Sequence, residues 1–341
     1  MNRRTRTLII GAVPIVAVGA VLASPAAVVP FAAEGPGPLV DVLGDLDGKP
    51  AVEISGAREV DDPEGVLDMT TVSVAHSLSL PAAAARWMDP EQDIVPIESI
   101  FPPGMTQEQV QERNAVAFTD SEASATIAAL DHLGLPVEAY AAQVLPDSPA
   151  AGAVREGDGI VAVGDRRIAT PRDVVDAIGS HPPGDEVELT LARGGGQERV
   201  RVTLAENPDA EGAAQLGVVV GARPAGGLDI KYNVSGIGGP SAGLVLTLAV
   251  IDKLSPGDLL HGRHVAGTGT IDASGAVGPI GGITHKIAAA RAAGADMFLV
   301  PEANCAEALT ADAGDMPLLS VADVDAAIAA LADPAAAPRC G

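Results

Sequence analysis

The stretch Gly238-Gly239-Pro240-Ser241-Ala242-Gly243 places a serine at the start of an apolar segment that we predict to be a helix as far as about Leu254. Proline suits the first turn of a helix, and glycine lets another backbone segment come close. We expect the main-chain N–H groups of Gly238, Gly239 and Ser241 to stabilise an oxyanion there. By itself the stretch is a weak signal, because a serine at a helix start is most often a cap. The sequence also has no G-x-S-x-G elbow, so it gives no support for a Ser-His-Asp triad.

Three separated blocks give the serine a context. They read GPSAGLVLTLAV (239–250), GTGTIDASGAVGPIGGITHK (267–286) and AARAAGADMFLVPEANC (289–305). In this order they resemble the proteolytic domain of Lon proteases. The resemblance implies that Ser241 is the nucleophile, that Lys286 is its general base and that Thr268 forms a hydrogen bond with the lysine amine. It implies no cofactor and no metal.

Some positions depart from the Lon pattern. Gly238 stands where the family has an acid before the nucleophile, Thr270 replaces a glutamate, and Thr284-His285 replaces Lys-Glu before the catalytic lysine. We therefore carry over no regulation that depends on those charges. His285 receives no role, and we expect it at the surface.

The chemistry expected of Lys286 can also be argued from its neighbours. A free lysine amine has a pKa near ~10.4 and is almost fully protonated at neutral pH, so a general base requires a lowered pKa. Ile283, Ile287 and the alanines 288–290 offer an apolar wall that would desolvate the amine. A nucleophile, a base and an orienting hydroxyl are the parts of a covalent catalytic site.

A different texture begins near residue 131. SPAA (148–151) and GDGIVAV (157–163) precede a capped helix from Thr170 and an alternating hairpin around Gly194-Gly195-Gly196. This order resembles a bacterial PDZ domain, a module that adds an extended C-terminal peptide to its own sheet. The resemblance assigns the carboxylate-binding loop to Leu133, Gly134, Leu135 and Pro136. A small domain used only for packing is the alternative.

The N-terminus carries a membrane signal. Arg3, Arg4 and Arg6 precede 27 uncharged residues, 7–33, enough to cross ~30 Å of hydrocarbon with the N-terminus in the cytoplasm. A cleaved signal peptide is the alternative. Either interpretation puts the rest of the chain outside the cytoplasm, where Cys305 and Cys340 could form a disulfide; two free thiols remain the other possibility.

Composition excludes several functions. The 341-residue chain has a formal net charge of −24 and is only 2% aromatic, so it lacks the basic and stacking surfaces that nucleic acids require. No P-loop motif occurs, which argues against nucleotide hydrolysis by these residues. The six histidines and two cysteines show no zinc-binding spacing.

Taken together, the sequence predicts an α+β protein with an N-terminal transmembrane helix, a PDZ-like β-rich domain and a Lon-type proteolytic domain. We expect the strand-like Val52–Ile54 and Met69–Val74 to complete the protease sheet, and two helical stretches, from Thr106 and over 121–133, to follow them. The predicted boundaries are a cytoplasmic tail (1–6), an anchor (7–33), an extracytoplasmic part of the protease (34–130), the PDZ-like domain (131–206), the proteolytic domain (207–335) and a tail (336–341).

With the anchor and the PDZ-like segment included, nearly the whole chain resembles bacterial membrane-anchored, ATP-independent Lon-like serine proteases. The expected activity is endopeptidase cleavage of unfolded, flexible or tail-presented proteins outside the cytoplasm, with the PDZ-like domain binding substrate C-termini or regulating access. The expected location is the cell membrane, crossed once, and a homo-oligomer is compatible with the resemblance. The alternative from another class is a membrane-anchored PDZ scaffold or peptide-binding protein whose protease-like part is inert.

Overall fold

A computed structural model describes residues 28–207, 210, 212–234 and 239–341. Residues 28–132 contain β1 (Phe31–Asp41), β2 (Asp45–Leu46), β3 (Lys49–Pro50), β4 (Val52–Ser55), β5 (Val66–Ala75), α1 (Leu80–Trp87), β6 (Asp93–Pro96), α2 (Ile97–Ile100) and α3 (Gln107–His132). The described residues between 133 and 234 contain β7 (Val137–Val144), β8 (Gly159–Val163), β9 (Arg166–Arg167), α4 (Pro171–Gly179), β10 (Glu186–Arg193), β11 (Gly196–Thr203), β12 (Ala205–Glu206), β13 (Ala214–Gln215), β14 (Val218–Pro224) and β15 (Asp229–Tyr232). Residues 239–341 contain a 3-10 turn (Pro240–Ala242), α5 (Gly243–Leu254), β16 (His264–Gly267), β17 (Thr270–Ile271), β18 (Val277–Gly278), α6 (Ile283–Ala293), β19 (Met297–Pro301), a second 3-10 turn (Glu302–Asn304), α7 (Cys305–Ala308), β20 (Leu318–Val321) and α8 (Val324–Ala332).

The larger sheet joins the two ends of the chain. Its strand order is β20-β19-β16-β5-β1-β6. Strands β20, β19, β16 and β5 run parallel, whereas β1 is antiparallel to both β5 and β6. Strand β5 therefore pairs directly with β16, the strand that leads into Thr268, and the expectation that Met69–Val74 completes this sheet is confirmed. The same expectation for Val52–Ile54 is wrong, because β4 pairs with β15 in a separate two-stranded sheet. The large sheet is interrupted in sequence by residues that build a second sheet.

Helices cover both faces of this sheet. Alternate side chains of a strand point to opposite faces, and accordingly Val265 and Leu299 belong to one apolar cluster with α5, while Ala266 and Phe298 belong to another with α6. Helix α5 is buried from its first residue almost to its last, which fits its apolar sequence on every side. Helix α5, which follows the serine turn, and helix α6, which carries Lys286, therefore lie on opposite faces of one sheet.

Helix α3 packs against α5 and is continuous. The helix begins after Thr106, as predicted, with a capping box: the Gln109 N–H donates to Thr106 Oγ1 at 3.2 Å, and the Thr106 N–H donates to Gln109 Oε1 at 2.8 Å. The prediction of two helical stretches here is wrong, because no glycine or proline interrupts residues 107–132 and the turns simply continue.

The second sheet has the strand order β11-β10-β8-β7-β14, with β9 paired to β8. The predicted helix from Thr170 is confirmed as α4, and the predicted hairpin as β10 and β11. The sheet extends beyond the predicted boundary at residue 206. Strand β14 is antiparallel to β7 from Val218 to Pro224, so this sheet takes its last strand from the segment assigned to the protease.

The predicted anchor, 7–33, lies outside the described residues up to residue 27. Its last three residues begin β1 and are paired with β6, so they are strand and not helix. Among the residues described, no helix combines the length and apolar character needed to cross a membrane. At the other end of the chain, a disulfide joins Cys305 to Cys340 and ties the C-terminal residues to α7.

Candidate active site

Ser241 lies in the 3-10 turn Pro240–Ala242, directly before α5. The turn is bonded to the segment that follows β16, where the Gly269 N–H donates to the Ser241 carbonyl at 2.9 Å. The close approach requires glycine at position 243, because a Cβ there would lie 2.6 Å from Ile271 Cγ2. Main-chain contacts therefore fix the position of the serine independently of its side chain.

Lys286 reaches the serine from α6, on the other face of the sheet. Its Nζ lies 2.8 Å from Ser241 Oγ, although the two residues are 45 positions apart. The same Nζ lies 2.8 Å from Thr268 Oγ1. Thr268 is the first residue after β16, so the three groups meet where this strand ends between the two helix layers.

The hydrogen bonds of Thr268 determine which group donates in its contact with Lys286. Its hydroxyl donates to the Ser241 carbonyl at 3.1 Å, so its proton is already used. Thr268 Oγ1 must therefore accept a hydrogen bond from the lysine amine. When Lys286 is neutral, its lone pair is then free to accept the proton of the Ser241 hydroxyl.

Burial changes the chemistry of the lysine. Lys286 is only 2% exposed to solvent, and Thr268 is fully buried. Desolvation lowers the pKa of Lys286 from 10.5 to about 8, because water no longer stabilises the ammonium form. A substantial minority of molecules therefore carries a neutral amine at neutral pH, as a general base requires.

The expected main-chain oxyanion donors are only partly available. Gly238 lies outside the described residues. The Gly239 N–H donates to the Asn114 carbonyl at 3.0 Å, so it already has a partner inside the protein and the prediction for this group is wrong. Pro240 has no N–H to offer. Of the three N–H groups expected from the sequence, only that of Ser241 is both within the described residues and free to bind an oxyanion.

A cavity of about 720 Å³ opens beside Ser241 and Lys286. Its wall includes apolar side chains from β5, among them Met69, Val72 and Val74, and residues Pro279–Gly281 before α6. Lys286 is the one charged residue among the described residues of this wall. The cavity can thus accept an uncharged, extended chain segment next to the serine hydroxyl. No group of three His, Cys, Asp or Glu side chains within the described chain is arranged to hold a metal.

Sequence reasoning missed Asn114, which lies on this wall. The residue belongs to α3, far from the three blocks in sequence, and only the packing of α3 against the serine turn brings it there. A side-chain hydrogen bond also joins α3 to the serine turn, because the Ser121 hydroxyl donates to the Pro240 carbonyl at 3.1 Å. No local pattern in residues 107–132 indicates this neighbourhood.

His285 is not at the surface, contrary to the expectation. It is 5% exposed and its Nε2 lies 3.3 Å from Asp93 Oδ2 on β6. The reason is that α6 packs against β1 and β5 of the large sheet, an arrangement that a sequence window around His285 cannot reveal. The pair with Asp93 connects the helix that carries Lys286 to β6.

The expected peptide-binding loop, Leu133 to Pro136, leads into an inner strand. Strand β7 follows it and has β14 on one side and β8 on the other, so no peptide can be added beside it. The two edge strands of this sheet are β11 and β14, and of these β14 follows Leu216-Gly217 and packs near α4. The structure therefore moves the candidate peptide edge from residues 133–136 to Val218–Pro224.

Two family models match the chain. Residues 110–204 match the model described as PDZ domain, and residues 235–327 match the model described as Lon protease (S16) C-terminal proteolytic domain. The chain thus combines a PDZ-type segment with a segment of the Lon proteolytic type, and this supports a serine protease.

Individual relatives are similar to parts of the chain. The chain is 38% identical over 75 residues to the archaeal Lon protease of Halobacterium salinarum, covering 22% of this chain and 10% of that protein. It is 46% identical over 66 residues to the Lon protease of Roseiflexus castenholzii, covering 19% and 8%, respectively. A probable periplasmic serine endoprotease DegP-like of Ectopseudomonas mendocina is 32% identical over 78 residues, covering 23% of this chain and 16% of that protein. The chain therefore spans only a small part of each of these relatives. Among solved structures, the PDZ domain of the SdrC-like protein from Listeria monocytogenes is 24% identical, covers 24% of this chain and 86% of that chain, and has a TM-score of 0.23.

Proposed function

We propose that this protein is a serine endopeptidase in which Ser241 is the nucleophile and Lys286 the general base. The observation that carries the proposal is the 2.8 Å contact between Ser241 Oγ and the buried Nζ of Lys286. The lysine has a lowered pKa, and Thr268 orients its amine, which supports the same assignment. The nucleophile and the base line one cavity, and the buried orienting hydroxyl contacts the base.

The reaction would proceed in two stages. Neutral Lys286 takes the proton from Ser241 as Oγ bonds to the peptide carbonyl carbon, and the carbonyl oxygen becomes an oxyanion. The resulting ammonium returns the proton to the leaving nitrogen as the C–N bond breaks, leaving an acyl-enzyme. Water then attacks the ester while Lys286 again accepts and returns a proton, which restores the Ser241 hydroxyl.

The substrates in this proposal are unfolded, flexible or tail-presented proteins. The cavity beside Ser241 accepts an extended segment, and the chain contains no P-loop motif, so we propose cleavage without ATP hydrolysis by these residues. Strand β14 offers an unpaired edge at which a substrate C-terminus could add as a further strand. Binding there would hold a substrate near the protease or regulate its access.

We also propose that the catalytic part lies outside the cytoplasm, on a single-pass anchor formed by the part of the uncharged segment 7–33 that precedes β1. The basic residues Arg3, Arg4 and Arg6 support this orientation. The disulfide between Cys305 and Cys340 supports an oxidising compartment. One relative is named as periplasmic, which agrees with such a location. A homo-oligomer is part of the proposal, and nucleic acid is not.

The test uses the full chain in detergent micelles with unfolded casein as the probe. We expect cleavage by the wild type and none by Ser241→Ala or Lys286→Ala. Ser255→Ala, at the other end of α5, is the matched control and should cleave like the wild type. Equal cleavage by the wild type and Ser241→Ala, or none by either, would favour the inert PDZ scaffold.

A further inference from the structure

The environment of Ser241 offers few donors for an oxyanion. The Gly239 N–H donates to the Asn114 carbonyl at 3.0 Å, and Pro240 has no N–H. Among the described residues, the turn therefore supplies main-chain donors only from Ser241 onward. A tetrahedral intermediate is stabilised best by more than one preorganised hydrogen-bond donor. A second donor would therefore have to come from another residue on the cavity wall.

Of the three threonines on this wall, Thr270 has its hydroxyl against Gly278, its partner across β17 and β18. The other two use their protons elsewhere. The Thr70 hydroxyl donates to the Gly267 carbonyl at 3.0 Å. The Thr71 hydroxyl donates to the Pro38 carbonyl at 2.7 Å. A hydroxyl has a single proton to donate, so neither group can also donate to a substrate without breaking its existing bond.

Asn114 differs from these threonines. Asn114 lines the cavity beside Ser241 and Lys286, and its side chain makes no hydrogen bond within the described part of the chain. Its primary amide carries two N–H donors and no charge. Its main chain is fixed, because α3 is continuous through this residue and the Asn114 carbonyl accepts the Gly239 N–H. The amide is thus carried by a rigid helix that is bonded to the serine turn.

We propose that the Asn114 side-chain amide donates a hydrogen bond to the substrate oxyanion, together with the Ser241 N–H. The inference rests on the proposed function and adds a third catalytic side chain to it. The amide keeps its protons throughout: Lys286 takes the serine proton, the carbonyl π electrons move to oxygen, and Asn114 stabilises that charge until the C–N bond breaks. Its contribution is electrostatic and is greatest in the transition state.

The test compares Asn114→Ala, Asn114→Leu and Asn114→Asp in the full chain. Alanine and leucine favour a helix more than asparagine does, and each keeps the main-chain carbonyl that accepts the Gly239 N–H, so the fold should be retained. We expect kcat on a chromogenic peptide to fall by roughly 100- to 1,000-fold in Asn114→Ala and Asn114→Leu, with KM changed by less than about threefold. Asn114→Asp should lose more, because a carboxylate repels the oxyanion. Gln111→Ala removes an exposed amide one turn earlier on α3, off the cavity wall, and should match the wild type.

A second measurement separates catalysis from structure. A peptidyl boronate forms a tetrahedral adduct on Ser241, so its inhibition constant should rise in parallel with the fall in kcat/KM in Asn114→Ala. A KM effect without a kcat effect, unchanged activity in Asn114→Ala, or a loss confined to Thr270→Val would overturn the inference. Those results leave the proposed function intact, whereas cleavage that persists in Ser241→Ala would overturn both.

Discussion

The buried hydroxyl of Thr268 accepts a hydrogen bond from the Lys286 amine at 2.8 Å while it donates its own proton to the Ser241 carbonyl at 3.1 Å. This one hydroxyl connects the end of a strand, the turn that carries the nucleophile and the helix that carries the base. The orientation of the amine toward Ser241 therefore depends on a residue that does not itself react.

Replacing that hydroxyl should impair catalysis without unfolding the protein. Thr268→Val keeps the side-chain shape but removes both bonds, and a hydrogen bond to a charged or polar partner contributes about 1.5–3 kcal/mol, so we expect kcat/KM to fall roughly 10- to 100-fold. Thr268→Ser keeps the hydroxyl and is the control. Peptide cleavage by the two variants at one pH tests this, and an equal loss in both would contradict the role of the hydroxyl.

The pKa of Lys286 gives a prediction for the pH dependence of cleavage. Its value of about 8 in the folded protein means that the fraction of neutral amine rises about tenfold per pH unit below 8 and levels off above it. We expect kcat/KM to follow this rise, measured with a peptide that has no group titrating between pH 6 and 9. A profile that is flat over this range, or one that rises only above pH 10, would contradict a buried lysine base.

The same burial should cost stability. The pKa of Lys286 is 10.5 when unperturbed and about 8 in the fold, so between these values the unfolded chain binds more protons and stability rises with pH. Below pH 8 the full cost, on the order of 3 kcal/mol, is present. Lys286→Met should therefore be inactive yet more stable than the wild type at pH 7, by an amount that shrinks toward pH 10. Urea unfolding at pH 7 and pH 10 measures it, with Lys49→Met as an exposed control.

The disulfide gives a prediction for stability alone. Cys305 and Cys340 close a loop across 35 positions, and a cross-link of this length contributes about 3–4 kcal/mol by restricting the unfolded chain. Cys305→Ser/Cys340→Ser should unfold at lower urea concentration but retain wild-type kcat, since neither cysteine lies on the wall of the cavity beside Ser241. A fall in kcat under conditions where the variant is fully folded would show that the loop affects the site.

Local features of the fold could be predicted from sequence because they depend on neighbouring residues. Helix α6 begins at Ile283 and ends before Gly294, as the glycines on either side indicate, and the capping box at Thr106 marks the start of α3. The apolar run from Met297 is likewise typical of a buried strand, and it forms β19. Each signal lies within a few residues of the element it defines.

Predictions that required long-range pairing were less accurate. The peptide edge was assigned to residues 133–136, but the late strand β14 is added outside β7. His285 is expected at the surface, but α6 packs against β1 and β5 and buries it. Both outcomes depend on which distant strands pair in a sheet, and hydrogen bonds between those strands determine that.

The sequence by itself determined the candidate chemistry: a serine at a helix start, a lysine in an apolar helix and a threonine after a strand, in the order of the Lon pattern. Only the tertiary structure decided how that chemistry is arranged. Parallel pairing of β5 with β16 brings two helix layers together at the end of one strand, where Lys286 loses its water and α3 adds Asn114 to the wall. Desolvation and the direction of a donor are properties of that enclosed space, and no single segment of the chain contains it.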